Sequence, residues 1–297
     1  MKTVLAAFFL ISSSALQAQY YYKDIIGTLE TNRQINTYLE NKVRTVSASG
    51  FDQRGAKNSG YSEFQEIKEN GTILKTSTFN NLNKTVIYSK FDNQGRIIRT
   101  TDSSSAIENE TTYDYDATGR ITRVQNNTKD SANDFTETEI HFWIYNAGGF
   151  PEKMWRILNN TDSLEIRFTP DENGNPGDER KYKNGKETSQ YYYSLDENKK
   201  VKYVQTGAIY YYYDDQNRLS DIVRYNLKVG RLLPDIMFEY DDKNRVIQKI
   251  TTTSNLSMGY LIWRYIFDEK GLKTKEALFN KDKQLTGKIE FSYTFVN

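Results

Sequence analysis

The 297-residue sequence has no cysteine, one histidine and four prolines. Without cysteine there are no disulfides, no thiolate metal ligands, no cysteine nucleophile and no lipid attachment through an N-terminal cysteine. One histidine, His141, leaves any Ser-His-Asp site a single possible base, and no Gly-x-Ser-x-Gly elbow accompanies it. A zinc site would have only carboxylates to complete it. There is no Gly-x-Gly-x-x-Gly or Gly-Lys-Ser/Thr phosphate loop, so no nucleotide cofactor is implied. An excess of charge of one sign is also missing, with Lys+Arg at 40 against Asp+Glu at 39. No basic field exists to gather phosphates, and nucleic acid is not expected as a partner. These absences point to a chain without metal, cofactor or catalytic set.

Long hydrophobic runs are scarce as well, and mean hydropathy is −0.76. The longest begins at Val4, after Lys2, and gives way to small and polar residues up to Ala18. A short basic start, an apolar centre and a small-residue end make a secretory signal peptide over residues 1–18. Its apolar part is about half of the ~20 residues that a membrane helix needs. The expectation is export to the periplasm, the outer cell surface or the medium, with no membrane span after cleavage and no lipoprotein anchor.

Aromatic residues are plentiful, with 23 Tyr, 15 Phe and 3 Trp. Many of them sit in a repeat. KFDNQGRII (90–98), DYDATGRIT (114–122), YYDDQNRLS (212–220), FEYDDKNRV (238–246) and YIFDEKGLK (265–273) share an acidic anchor, and IYNAGGFPE (144–152), FTPDENGNP (168–176) and YSLDENKKV (193–201) are worn copies. Anchors recur every 18 to 30 residues, enough for two strands and two turns. The physical reading is a hairpin. Asp92, Asp116, Asp214, Asp241 and Asp268 open type I turns, where a carboxylate bonds backbone N–H groups two residues on. Gly95, Gly119, Asn217, Asn244 and Gly271 follow three residues later, as types that tolerate positive φ. Before each anchor aromatics alternate with polar residues, as in Tyr113 and Tyr115, Trp143 and Tyr145, or Phe238 and Tyr240, which gives one buried and one wet face. The arginine after each turn (Arg96, Arg120, Arg218, Arg245) is placed to lay its stem over a neighbouring aromatic.

YDYDATGRITRV at 113–124 resembles the YD repeat of RHS/YD-repeat proteins, with Tyr-Asp, a Gly-Arg pair and then an aliphatic residue. The resemblance covers about two thirds of the chain and implies stacked β-hairpins in a long curling sheet. The proline-rich cleavage motif and C-terminal toxin of large RHS proteins are not found here. The fold expected is therefore all-β: repeated antiparallel hairpins in a curved or solenoid-like open sheet, with a short N-terminal helical segment. In domains, residues 1–18 are the leader, 19–59 a helical segment (Lys23–Val46 mostly helix) with a Gly/Ser-rich joint, and 60–297 the repeats. A membrane barrel is disfavoured because return strands such as 120–125 offer no apolar face for lipid.

Two local motifs have ordinary explanations. Asp171-Glu-Asn173-Gly-Asn175 resembles a calcium loop, but Pro176 and Tyr182 stand where that loop needs Gly and Glu. It coincides with a repeat turn. Consecutive tyrosines at 191–193 and 210–213 put aromatics on both faces of a strand. Tyr210, Tyr212, Tyr192 and Phe142 are the candidate exposed aromatic strip. The function expected is a non-catalytic binding or scaffold module of the cell envelope that presents this strip to a protein or glycan. The alternatives are an envelope polysaccharide enzyme using paired carboxylates, or a cradle for another exported protein.

Overall fold

The computed structural model describes residues 20–81, 83–102, 107–188, 191–195, 200–204, 208–226, 231–252 and 259–296. The leader lies outside them. The helix α1 (Lys23–Glu40) opens the described chain, followed by β1 (Val43–Asp52), β2 (Lys57–Lys68), β3 (Ile73–Asn80), β4 (Asn83–Phe91), β5 (Ile97–Asp102), β6 (Ile107–Tyr115) and β7 (Ile121–Asp130). Next come β8 (Phe135–Tyr145), β9 (Pro151–Leu158), β10 (Asp162–Pro170), β11 (Pro176–Lys183), β12 (Lys186–Glu187), β13 (Tyr191–Leu195) and β14 (Lys200–Val204). The chain ends with β15 (Ile209–Tyr213), β16 (Leu219–Asn226), β17 (Arg231–Tyr240), β18 (Val246–Thr252), β19 (Tyr260–Phe267), β20 (Lys273–Phe279) and β21 (Leu285–Phe295).

Successive strands pair antiparallel from β1 to β11. The ring then steps to β15 and continues to β21, which pairs with β1 from Val43↔Phe295 to Asp52↔Gly287. The result is a closed 18-strand antiparallel β-barrel. This overturns the expected open or solenoid-like sheet. The repeats do make hairpins, but the first and last strands find each other and remove both free edges, which an open sheet would have to protect. β12 pairs only with β11, and β13 with β14 forms a separate two-stranded sheet. The β11–β15 junction is short, holding Asp178↔Tyr210 and Glu179↔Ile209.

The helix is shorter than the sequence pattern suggests. It stops at Glu40, Lys42 adopts a φ of 55°, and Val43 begins a barrel strand rather than continuing to Val46 as helix. Residues 43–52 and 57–59, assigned above to the helical segment and joint, are wall strands because Val46, Ala48 and Gly50 alternate inward.

One turn geometry repeats along one rim. Asp92 Oδ1 accepts from the N–H groups of Gln94 (2.8 Å) and Arg96 (2.9 Å), and Arg96 Nε donates to Asp92 Oδ2 at 2.7 Å. The same three bonds form at Asp116, Asp214 and Asp241. Asp268 has Leu272 instead of arginine and keeps its bond to the Leu272 N–H. Gly95, Gly119, Asn217, Asn244 and Gly271 hold φ between 58° and 86°. The turns at Asp52, Asn146, Asp171 and Asn280 bond in the same way. The Asn280 turn has no tyrosine-acid signature and was not legible as a repeat.

Neighbouring hairpins are locked together at this rim. The Arg96 guanidinium stacks 4.8 Å from the Tyr115 ring, whose hydroxyl donates to the Ile97 carbonyl at 2.8 Å. Arg120 with Tyr145 and Arg218 with Tyr240 repeat the pair of contacts, and Arg245 stacks on Phe267. At Gly149 a Cβ would stand 3.1 Å from Arg120 Nη1, so glycine here also makes room for the preceding repeat's guanidinium.

Candidate functional site: the lumen and the outer wall

The alternating residues separate into two environments. Inward residues include Ile121, Val124, Trp143, Met154, Ile166, Phe168, Ile209, Tyr211 and Ile222, which form one buried cluster with Tyr20–Tyr22, Ile25 and Ile26. A second cluster joins Ile35 and Tyr38 to Val43, Val46, Leu74, Phe91, Ile97 and Leu272. Both are built around α1, whose partners lie on opposite sides of the ring. Asn32 Oδ1 accepts from the Ile97 N–H at 2.8 Å, while Arg33 donates to the Asn244 carbonyl at 2.8 Å and Asn41 to that of Lys270 at 3.2 Å. The helix therefore bars the mouth at the turn rim.

Buried polar groups fix the N-terminal end of α1. Glu179 on β11, 2% exposed, accepts from the N–H groups of Tyr21 (2.8 Å) and Tyr22 (3.2 Å) and from the Tyr211 hydroxyl (2.7 Å). It thus supplies the start of the helix with the acceptor that Tyr22, as N-cap, does not. Burial pushes the Glu179 pKa up to about 7, against the lowering effect of those hydrogen bonds. His141 Nδ1 meets Asp24 Oδ2 at 2.6 Å and Nε2 meets Glu139 Oε1 at 3.0 Å, so both nitrogens donate in the imidazolium form. Burial opposes that charge, but Asp24 and Glu139 together raise the His141 pKa to about 9. Glu139 is held at about 2, since the bonds and charges of His141 and Arg156 outweigh its burial. His141 is thus a structural cation tying the wall to the helix, with Trp143 Nε1 donating to Asp24 as well.

An 18-strand ring is wider than side chains alone can fill. Beyond the apolar clusters the inward positions of β2 to β8 turn hydrophilic: Glu63, Thr76, Thr78, Thr85, Thr100, Asn109, Thr111, Asn126, Thr128 and Glu137. Their solvent exposure is intermediate. On the helix, Glu30 has its pKa raised by burial, with Lys249 and Lys273 acting against it, although its side chain is exposed.

The outer wall is charged. Lys75–Glu66, Arg99–Glu110, Arg123–Asp114, Arg167–Glu165 and Lys288–Glu290 are outward ion pairs at 2.6 to 3.8 Å. Each arginine or lysine facing hydrocarbon would cost about 2–4 kcal/mol near mid-membrane. Exposed apolar residues interrupt this wall at several places, among them Phe64, Tyr88, Met237 and Ile266, and Phe142 and Ile144 on β8 lie beside Trp155 on β9, at 37%, 39% and 36% exposure. Phe142 pairs with Trp155 in register, and Arg123 stacks on Phe142 at 5.7 Å.

The candidate strip is divided. Tyr210 and Tyr212 share the outer face of β15, with Tyr212 48% exposed, beside a groove of about 900 Å3 flanked by the Asp171 and Asp214 turns. Tyr211 turns inward to Glu179. Phe142 lies four strands away along the ring, and its neighbour Trp155, between Met154 and Arg156, carries no repeat or tyrosine-run signature in the sequence. Tyr192 belongs to β13, and its side chain lies outside the described residues. The Asp171 carboxylate is occupied by the Asn173 and Asn175 N–H groups and the Asn175 amide. Among the described residues no group of three His, Asp or Glu is arranged to hold a metal ion.

No protein-family model and no curated protein matches the chain. Among solved structures it is similar to the Tc holotoxin pore of Photorhabdus luminescens, with 12% identity and a TM-score of 0.32 over 79% of this chain and 12% of that one. It is also similar to porin-like proteins from Bacteroides uniformis, with 10% identity and a TM-score of 0.36 over 85% and 98% of the two chains, and from Bacteroides vulgatus, with 11% identity and a TM-score of 0.28 over 86% and 99%. The chain thus spans a small part of the toxin chain and nearly the whole of the porin-like ones. At these TM-scores the similarities carry no conclusion about ligand or activity.

Proposed function

We propose that this protein is an exported, non-catalytic binding module of the cell envelope, a water-soluble barrel that engages a protein or glycan through its outer aromatic surface. The observation that carries the reading is the Phe142–Ile144–Trp155 cluster, three large apolar side chains exposed side by side on two neighbouring strands of a wall that also carries ion pairs. Aromatic rings offer large contact area at low entropic cost, and such clusters mark binding surfaces when they interrupt a charged face. Tyr210 and Tyr212 add a second aromatic pair along the same wall. Export rests on the three-part leader at residues 1–18. The hairpin repeat and its likeness to YD-repeat sequences support a scaffold role, in which turns and braces hold a rigid surface.

The test is capture by the tagged protein from crosslinked cells, with a glycan array in parallel, comparing the natural chain with a Phe142→Ser/Trp155→Ser variant. A stoichiometric partner or a defined glycan class, retained by the natural chain and lost by the variant, is expected. Equal retention by both would refute the reading.

A further inference from the structure

The last three strands of the ring carry a cluster of cations on their outer face that their own acids do not balance. Glu276 on β20 and Ile289 on β21 are buried and turn inward, so Lys275 and Ala277 on β20 and Lys288 and Glu290 on β21 turn outward. Arg264 and Ile266 on β19 share that face, since Arg264 pairs with Ala277 and Ile266 with Lys275. Ala277 is the centre of the cluster. Arg264 stands opposite it on one neighbouring strand and Lys288 opposite it on the other, while Lys275 and Phe279 flank it along β20. The spacing of paired strands puts the Arg264 and Lys288 backbones about 10 Å apart, and a two-residue step puts Lys275 about 7 Å from Ala277. From those positions three long side chains can lean over one methyl group. The small side chain leaves the space between them open, and all of these residues except Glu290 and the two buried ones line a single surface groove of about 690 Å3.

The charges in the groove are unequal. Lys288 Nζ lies 2.6 Å from Glu290 Oε1 and Lys275 Nζ 3.8 Å from the same oxygen, so two lysines share one acid. Arg264 has no carboxylate partner among the described residues. Its Nε donates to the neutral Gln248 amide oxygen at 2.8 Å, and its guanidinium stacks 5.2 Å from the Phe279 ring. Asp241 and Arg245, at the turn end of the groove, pair with each other and add no net charge. Three cations against Glu290 leave an excess of two positive charges. Apolar surface adjoins them: Phe279 pairs in register with Leu285, which also lines the groove, and Ile266 is 51% exposed.

We propose that this groove binds a small organic anion with an apolar tail, such as an alkyl carboxylate. The head lies over Ala277, where Arg264, Lys275 and Lys288 donate charge-assisted hydrogen bonds to it, and the guanidinium offers paired donors to its two oxygens. The tail lies against Phe279 and Leu285. The site is on a different arc of the ring from the Phe142–Ile144–Trp155 cluster, so either reading can fail without the other.

Calorimetric titration of the full chain with octanoate decides it, with acetate as the head without the tail and octylammonium as the tail with the opposite charge. Saturable octanoate binding, at least about tenfold tighter than either comparison and weakened at least about tenfold by Arg264→Gln, is the expected result. Ala277→Leu keeps every charge but fills the space between them, and it should weaken binding as well. Lys288→Met keeps the stem and removes the charge, and it decides the matter if either of the other variants does not fold. Failure of octanoate to saturate, equal binding of octylammonium, or undiminished binding to the variants would overturn the proposal.

Discussion

Raising the pH should loosen the seating of α1, because two groups that hold it bind protons more tightly in the folded chain than in the unfolded one. His141 titrates at about 9 against an ordinary 6.5. A base with a raised pKa contributes its full stability below the unfolded value and loses it as pH climbs through the folded one, here between 6.5 and 9. Glu179 titrates at about 7 against 4.5. The same rule gives a loss between 4.5 and 7, because the ionised carboxylate is poorly solvated in its buried position. Glu30 and Glu63, also raised, act in the same direction. At about 1.4 kcal/mol per pH unit, His141 and Glu179 each account for about 3 kcal/mol. Glu139, held at about 2, loses its contribution only as pH falls, so maximal stability lies near pH 5. Urea unfolding followed by tryptophan fluorescence, which reports on Trp143 beside Asp24, should show stability falling from pH 5 to pH 9. Glu179→Gln should remove most of the fall below pH 7, and His141→Gln most of the fall above it. Constant or rising stability across that range would refute the charged lock.

Gly119→Val should destabilise the protein by more than about 1 kcal/mol, since φ is 86° there and a β-branched residue is strained at positive φ; an unchanged melting temperature would contradict the turn geometry. Because the outer wall carries ion pairs where lipid would lie, the mature chain should stay monodisperse without detergent and fail to float with phosphatidylcholine vesicles; stable insertion into them would refute a water-facing wall.

The turns were legible because their causes are local. An Asp that bonds the next N–H groups, a Gly or Asn three residues on and an Arg that returns to the Asp carboxylate all fall within five residues, as at Asp92–Arg96. Alternation made the inward tyrosines readable, since strand geometry turns successive side chains to opposite faces. The candidate binding surface was only partly legible. Phe142 and Tyr212 could be named, but their separation around the ring and the partnership of Phe142 with Trp155 depend on strand order.

By itself the sequence determined an all-β repeat chain, the repeating turn and the alternation of aromatic and polar residues, because each is set by neighbours within a few positions. Tertiary structure alone decided closure, since Thr45 meets Thr294 across 249 residues and no local pattern states which strands become partners. It also decided that the N-terminal helix bars the barrel mouth, and that Asp24, His141, Glu139 and Glu179 become its lock. Those charges are ordinary surface residues in the sequence. Only the closed wall removes them from water, and that removal turns their pairing into a constraint on the fold.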